Sequence, residues 1–249
     1  MGVDRIPVGA ETREYNKKQF IFRHPLTTQP RIERIVGTFT HTFGNGGLAS
    51  AMSAAGADKI IEYIIWGRIA GDNIWEIRAG DSALKKQRFR AFIGMYSPLN
   101  ATPTTFAGIE IGSMCQAPPF PTIPTGGAVT QLRMRMDNQH IQLLTAQGDS
   151  VTPAKITEVD LGIILPHGVF AEVILDPYER TVTAYIDGQQ IAQHSGNDYP
   201  NMALNTPGSA ELDAGLFFTS GSNAAASHTT WFSLPEYEVY DWARPGAVL

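Results

Sequence analysis

Arginine and glutamate side chains stand at every second position in several short apolar stretches, and that spacing is the part of the sequence best suited to chemistry. In 129–137 (VTQLRMRMD), Leu132, Met134 and Met136 alternate with Gln131, Arg133 and Arg135, so a strand that buries the methionines presents both arginines on its other face. In 88–96 (RFRAFIGMY), Arg88, Arg90, Phe92 and Tyr96 oppose Phe89, Ala91, Ile93 and Met95. Glu110 opposes Ile109 and Ile111 in 106–112, while Glu76 and Arg78 oppose Trp75 and Ile77 in 74–78. If these strands share one sheet, a single face gathers Glu76, Arg78, Arg90, Tyr96, Glu110, Arg133 and Arg135. A face of that composition suits recognition, because guanidinium forks pair with carboxylates and aromatic rings stack on sugars or on protein. The alternative is a solvated sheet with cross-strand ion pairs, each worth roughly 0.2–1 kcal/mol.

Other reactive chemistry has little sequence support. The six histidines (24, 41, 140, 167, 194 and 228) are widely spaced, with no His-Glu-x-x-His, and Cys115 is the single cysteine. No zinc signature follows from them, and no intrachain disulfide is possible, so packing alone must hold the fold. There is no Gly-x-Ser-x-Gly elbow, no Walker lysine and no Asp-x-Asp-x-Asp-Gly calcium loop. The expectation is no catalytic residue, no metal and no cofactor. Asn100-Ala101-Thr102 fits a glycosylation acceptor, but the first residues carry no apolar run to serve as a signal peptide. Conventional secretion is therefore not expected, and no stretch approaches the 18 or so consecutive apolar residues of a membrane span.

The elements that must position these residues are strands. Of the 249 residues, 43% are hydrophobic and only 17% charged, a balance that opposes disorder and suits contact with other protein. The formal charge of −5 gives no reason to seek nucleic acid. Residues 1–34 hold seven basic groups against four acidic ones, a net +3, which leaves −8 for the rest. Residues 1–32 are polar and interrupted by Pro7, Pro25 and Pro30, and read as an extended arm whose Arg5, Arg13, Lys17, Lys18 and Arg23 would dock on an acidic neighbour or another copy. Residues 33–249 then read as one β-sandwich domain, with strands at 34–40, 59–66, 74–78, 88–96, 106–111, 129–137, 139–146, 169–176, 180–187, 214–220 and 229–242. The small-residue stretch 46–58 (GGLASAMSAAGAD) is the one short helix expected. Val169, Ala171, Val173 and Leu175 share a face, as do Val182, Ala184 and Ile186, and Asp187-Gly188 opens a tight turn.

The run GVFAEVILDPYERTVTAYIDGQQIAQHSG, 168–196, resembles the central hairpin of laminin-G and concanavalin A-like domains, with Tyr185, Asp187 and Gly188 at the Tyr-x-Asp-Gly positions. EYEVYDW, 236–242, is similar to the last strand, by which such domains close beside their first. The resemblance covers about a quarter of the chain and implies an all-β, two-sheet jelly-roll sandwich with an extended N-terminal arm. Glycoside hydrolases of this class carry Glu-x-Asp-x-x-Glu on a strand. The nearest match here, Glu211-Leu212-Asp213-Ala214-Gly215-Leu216, has Leu in the last acidic place and so departs from the hydrolase pattern. Trp66, Trp231 and Trp242 are expected to pack the core or a sheet edge. The chain also resembles bacteriophage proteins that use such jelly rolls as surface modules. That analogy implies a non-enzymatic virion subunit made in a host cytoplasm, a capsid decoration or tail-associated protein, with other virion proteins or its own copies as partners. A carbohydrate-binding lectin or a divergent glycosidase is the alternative.

Overall fold

The computed structural model describes residues 17–23, 26, 30–53, 59–67, 86–96, 106–113, 129–135, 140–146, 155–160, 168–176, 179–199, 214–222 and 228–241. These form fifteen strands, taken in chain order as β1 (Lys17–Arg23), β2 (Arg31–Val36), β3 (Phe39–Gly44), β4 (Gly47–Met52), β5 (Lys59–Gly67), β6 (Lys86–Tyr96), β7 (Phe106–Ser113), β8 (Val129–Arg135), β9 (His140–Ala146), β10 (Lys155–Asp160), β11 (Val169–Asp176), β12 (Thr181–Ile186), β13 (Gln189–Ser195), β14 (Ala214–Ser222) and β15 (His228–Asp241). A front sheet runs β13-β12-β11-β6-β15-β4-β3, with β1 also paired to β15, and a back sheet runs β10-β9-β8-β7-β14-β5-β2. The pairings are antiparallel throughout.

The core is what period-two alternation demands. On β6, Phe89, Ala91, Ile93 and Met95 are buried, as are Val169, Ala171, Val173 and Leu175 on β11 and Val182, Ala184 and Ile186 on β12. Phe218 of the back sheet stacks on Phe232 of the front sheet, 4.6 Å between centroids at 12°, and lies 6.2 Å from Phe89. An aromatic pair of this kind adds about 0.5–1.5 kcal/mol beyond the area it buries. Polar bridges also cross the gap. Tyr63 Oη donates to Ser50 Oγ at 3.0 Å, and Thr230 Oγ1 donates to Ser220 Oγ at 3.2 Å.

Several sequence expectations change. The stretch expected to be helical contains β4, and Asn45 and Gly46, at φ 51° and 77°, close a hairpin with β3. An Asn-Gly pair accepts two successive positive φ values, and Leu48, Ser50 and Met52 then alternate inward. The single strand expected at 34–40 is divided at Gly37 and Thr38, and its halves join opposite sheets. Lys17, Lys18 and Arg23, assigned to the arm, lie on β1, which pairs with the chain's own β15, so this part is a strand of the body. β10 had no counterpart in the sequence reading. The stretch 74–78 and Arg5 and Arg13 lie outside the described residues.

β15 explains how the terminal strand holds the front sheet together. Its first half, His228–Ser233, pairs with β4, and its second half, Glu236–Asp241, pairs with β1, while β6 runs along the other side. The register shifts between Ser233 and Glu236, where Leu234 has φ 50° and Pro235 has no N–H to offer a neighbour. The bulge falls where one partner strand gives way to the other.

At one side edge the sheets are clasped by His194 of β13. Its Nδ1 lies 2.7 Å from Thr145 Oγ1 on β9, and its Nε2 lies 2.8 Å from Thr157 Oγ1 on β10. Thr145 Oγ1 donates its one proton to Asp198 O at 2.9 Å, so Nδ1 must be the donor to Thr145 and the neutral Nε2 accepts from Thr157. Burial, reinforced by Lys155 and opposed by Asp198, lowers the His194 pKa below its ordinary 6.5. The folded state therefore disfavours protonation, and this contribution to stability is complete above about pH 6.5 and is lost as pH falls toward the lowered folded value. His41, also lowered by burial, acts in the same direction. Urea unfolding at about pH 7.5 and about pH 5.5 should show wild type losing more stability on acidification than His194→Gln; equal losses would show that the clasp does not titrate.

Candidate functional site

The outward face of the front sheet is built by the same alternation that fills the core. Opposite Phe89, Ala91 and Ile93, β6 presents Arg88, Arg90 and Phe92, all half-buried. In register beside Arg90 stand Glu172 of β11 and Glu236 of β15, and beside Arg88 stand Ile174 and Glu238. Phe92 is opposite Phe170 on one side and Ser233 on the other.

Arg88 organises the charged half of this face. Its Nε donates to Glu172 Oε2 at 2.8 Å and its Nη2 to the same oxygen at 2.5 Å, while Nη1 donates to Glu238 Oε2 at 3.1 Å and to Glu236 Oε1 at 3.3 Å. One guanidinium thus ties β6 to both of its neighbours. Burial by itself would lower the Arg88 pKa, but hydrogen bonds and charge from Glu172 and then Glu238 hold it above the ordinary arginine range. The Glu238 side chain has no exposed surface, so removing Arg88 would take a cation away from a fully buried carboxylate.

The aromatic half lies one step along. The Arg90 guanidinium sits 4.3 Å over the Phe170 ring, and Phe170 meets Phe92 edge to face, 5.5 Å between centroids at 73°. Phe170 is fixed by the next turn: its N–H donates to Asp187 Oδ1 at 2.8 Å, and its carbonyl accepts from Asp187 N at 2.9 Å. Asp187 and Gly188, at φ 48° and 83°, form the tight turn expected from sequence. Gly168, at φ 94°, is closed to any side chain, because a Cβ would fall 2.5 Å from Ile93 O and 2.7 Å from Phe92 Cζ. Its bareness lets the Phe92 ring settle against the backbone. Trp231, 39% exposed and opposite Gly94, borders these aromatics, contrary to the packing role expected of it.

The single face predicted from sequence is divided between two sheets. Arg90 and the backbone of Tyr96 belong to β6 in the front sheet, whereas Glu110 on β7 and Arg133 and Arg135 on β8 belong to the back sheet. Glu110 is half-buried there, opposite Gln131 and Phe217. Strand parity orders residues within a strand and says nothing of which strands become neighbours, and this is why the grouping fails. Glu76 and Arg78 lie outside the described residues, as does Glu211-Leu212-Asp213. The residues that join Arg90 were not singled out: Phe170 and Glu172 alternate with the core residues of β11, and Glu236 and Glu238 flank the buried Tyr237. That alternation was legible in both strands.

No family model matches the sequence, and no curated protein matches it. Among solved structures, a prokaryotic β-1,3-1,4-glucanase (lichenase) derived from a mouse hindgut metagenome aligns with a TM-score of 0.53 at 8% identity, over 90% of this chain and 99% of that one. A β-glucanase of Bacillus licheniformis aligns with a TM-score of 0.52, also at 8% identity, over 90% of this chain and 98% of that one. The fold is a concanavalin A-like β-sandwich. At this identity the likeness extends to the concanavalin A-like architecture and assigns no role to any side chain.

Replacing Arg88 by Met should cost about 3 kcal/mol at neutral pH, since three clustered carboxylates lose their shared cation. Adding Glu238→Gln to Arg88→Met should recover part of the deficit, because a fully buried carboxylate is then replaced by a neutral amide. Denaturant titrations of wild type, single and double variants measure it, and a double variant no more stable than Arg88→Met would contradict a charge-based origin.

Proposed function

We propose that this chain is a non-catalytic saccharide-binding module whose ligand lies on the outward face of the front sheet. The observation that carries the proposal is the ordered row of Arg90, Phe170 and Phe92 with Trp231 beside it. Aromatic faces take the apolar side of a pyranose ring, and fixed polar groups next to them read its hydroxyls. Arg88 supports the row by engaging all three carboxylates, which fixes β6, β11 and β15 against one another. The same engagement speaks against hydrolysis, because a glycosidase needs one carboxyl free to act as general acid across the bond from another. The solved β-glucanases of this architecture act on polysaccharide, which supports a saccharide as the class to test first.

A second reading, the bacteriophage decoration or tail-associated subunit, draws on two exposed apolar side chains of β15, Trp231 at 39% and Leu234 at 61%, which would suit contact with another protein. The pairing of Lys17–Arg23 with the chain's own β15 weakens one motive for it, a basic arm laid on a neighbour.

The full chain applied to a broad glycan array should bind a defined set of oligosaccharides. Phe92→Ala and Trp231→Ala should each weaken the strongest of these by about tenfold, equivalent to about 1.4 kcal/mol, with no release of reducing ends on prolonged incubation. An array without any bound glycan would refute the saccharide reading, and steady release of reducing ends would refute its non-catalytic part.

A further inference from the structure

Tyr185, the tyrosine of the Tyr-x-Asp-Gly run, is not needed for the turn that follows it. It stands on β12, half-buried and outward, between the inward Ala184 and Ile186. Among the described residues its hydroxyl has no hydrogen-bond partner, whereas a partly buried phenol ordinarily finds one. The pairing of β12 with β13 shifts register between Ala184 and Tyr185, an irregularity of the kind that re-aims a side chain. Opposite Tyr185 on β13 is Gln190, exposed and also without a hydrogen-bond partner among the described residues.

The strand registers put Tyr185 at the end of a line. Trp231 of β15 is opposite Gly94 of β6, two residues from Phe92, and Phe92 is opposite Phe170 of β11. Tyr185 is opposite Glu172, two residues from Phe170 and level with Arg90. Each step from Trp231 to Tyr185 moves one strand across the sheet, and both diagonal steps move the same way along β6, from Gly94 toward Arg90. Diagonal neighbours are within reach of aromatic side chains, so four rings from four adjacent strands make one oblique track. With strands about 4.8 Å apart and about 3.3 Å per residue, three strand steps and four residues span about 20 Å. A single sugar ring covers only part of that length, and a chain of several rings in an extended path reaches both ends.

Resting on the saccharide reading above, we propose that Tyr185 and Gln190 form a distal subsite, so that the ligand of this face is a linear oligosaccharide laid obliquely over β15, β6, β11 and β12. The Tyr185 ring takes the apolar side of the sugar at that end, and its hydroxyl and the Gln190 amide, which together offer donors and acceptors, meet the sugar hydroxyls. A monosaccharide or a compact branched glycan leaves this end unoccupied.

Calorimetric titration of the full chain with the disaccharide and hexasaccharide of the linear cello-, xylo-, manno-, chito- and malto-series tests this. In the series that binds, the hexasaccharide should bind at least about tenfold tighter than the disaccharide. Tyr185→Ala should weaken the hexasaccharide by about tenfold and the disaccharide by less than about twofold, and Tyr185→Phe, which keeps the ring, should retain most of the gain with length. Circular dichroism of each variant establishes that it is folded, and the length dependence of the wild type needs no variant. A hexasaccharide bound no tighter than its disaccharide, or equal losses for both in Tyr185→Ala, would overturn the distal subsite and leave the saccharide face standing. So would a glycan array that binds only branched or single-residue glycans while every linear series fails. No binding in any series, together with an empty glycan array, would sink both.

Discussion

Arg88 is the contact on which the outward face of this sandwich depends. It stands on β6, where three strands that are distant in sequence meet, and bonds carboxylates from both flanking strands. Cross-strand pairs of that kind are individually weak when exposed. Here the arginine is 19% exposed and Glu238 not at all, so the network is committed: satisfied, it fixes the relative positions of β11, β6 and β15, and broken, it takes the shared cation from three clustered carboxylates. The inner side of the same strand buries Phe89 in the aromatic core, so one strand serves packing on one face and electrostatics on the other.

The rest of the candidate site follows from that arrangement. With Glu172 and Glu236 drawn toward Arg88, Arg90 settles on Phe170, and Phe170 is itself held by the Asp187 turn. The face therefore consists of side chains already fixed before any ligand arrives, which lowers the ordering cost of binding. A turn that was recognisable in the sequence for its conformational chemistry thus has a second role, in positioning an aromatic ring of the site.

What was legible in the sequence was whatever depends on local periodicity. Val169, Ala171, Val173 and Leu175 fall inward because they alternate, and the Asp187-Gly188 turn forms because glycine accepts positive φ. Residues 236–241 of the terminal strand close beside Lys17–Arg23, a strand that the sequence offered only as part of a polar, proline-interrupted arm. Long-range neighbours were not legible. Arg90 and Arg133 look equivalent in their strands, yet they belong to different sheets, because sheet assignment is decided by the whole set of pairings. Asn45-Gly46 shows the opposite error: a local hairpin signal was present, and the run of small residues after it was given more weight than the alternation of Leu48, Ser50 and Met52.

Amide chemical-shift mapping of a bound oligosaccharide locates the ligand without any substitution and reports on both sheets at once. The largest shifts should fall on residues 88–94 of β6, 168–172 around β11 and 231–236 of β15. Shifts confined to β7, β8 and β14, around Glu110 and Arg133, would place the ligand on the back sheet and contradict a front-sheet site.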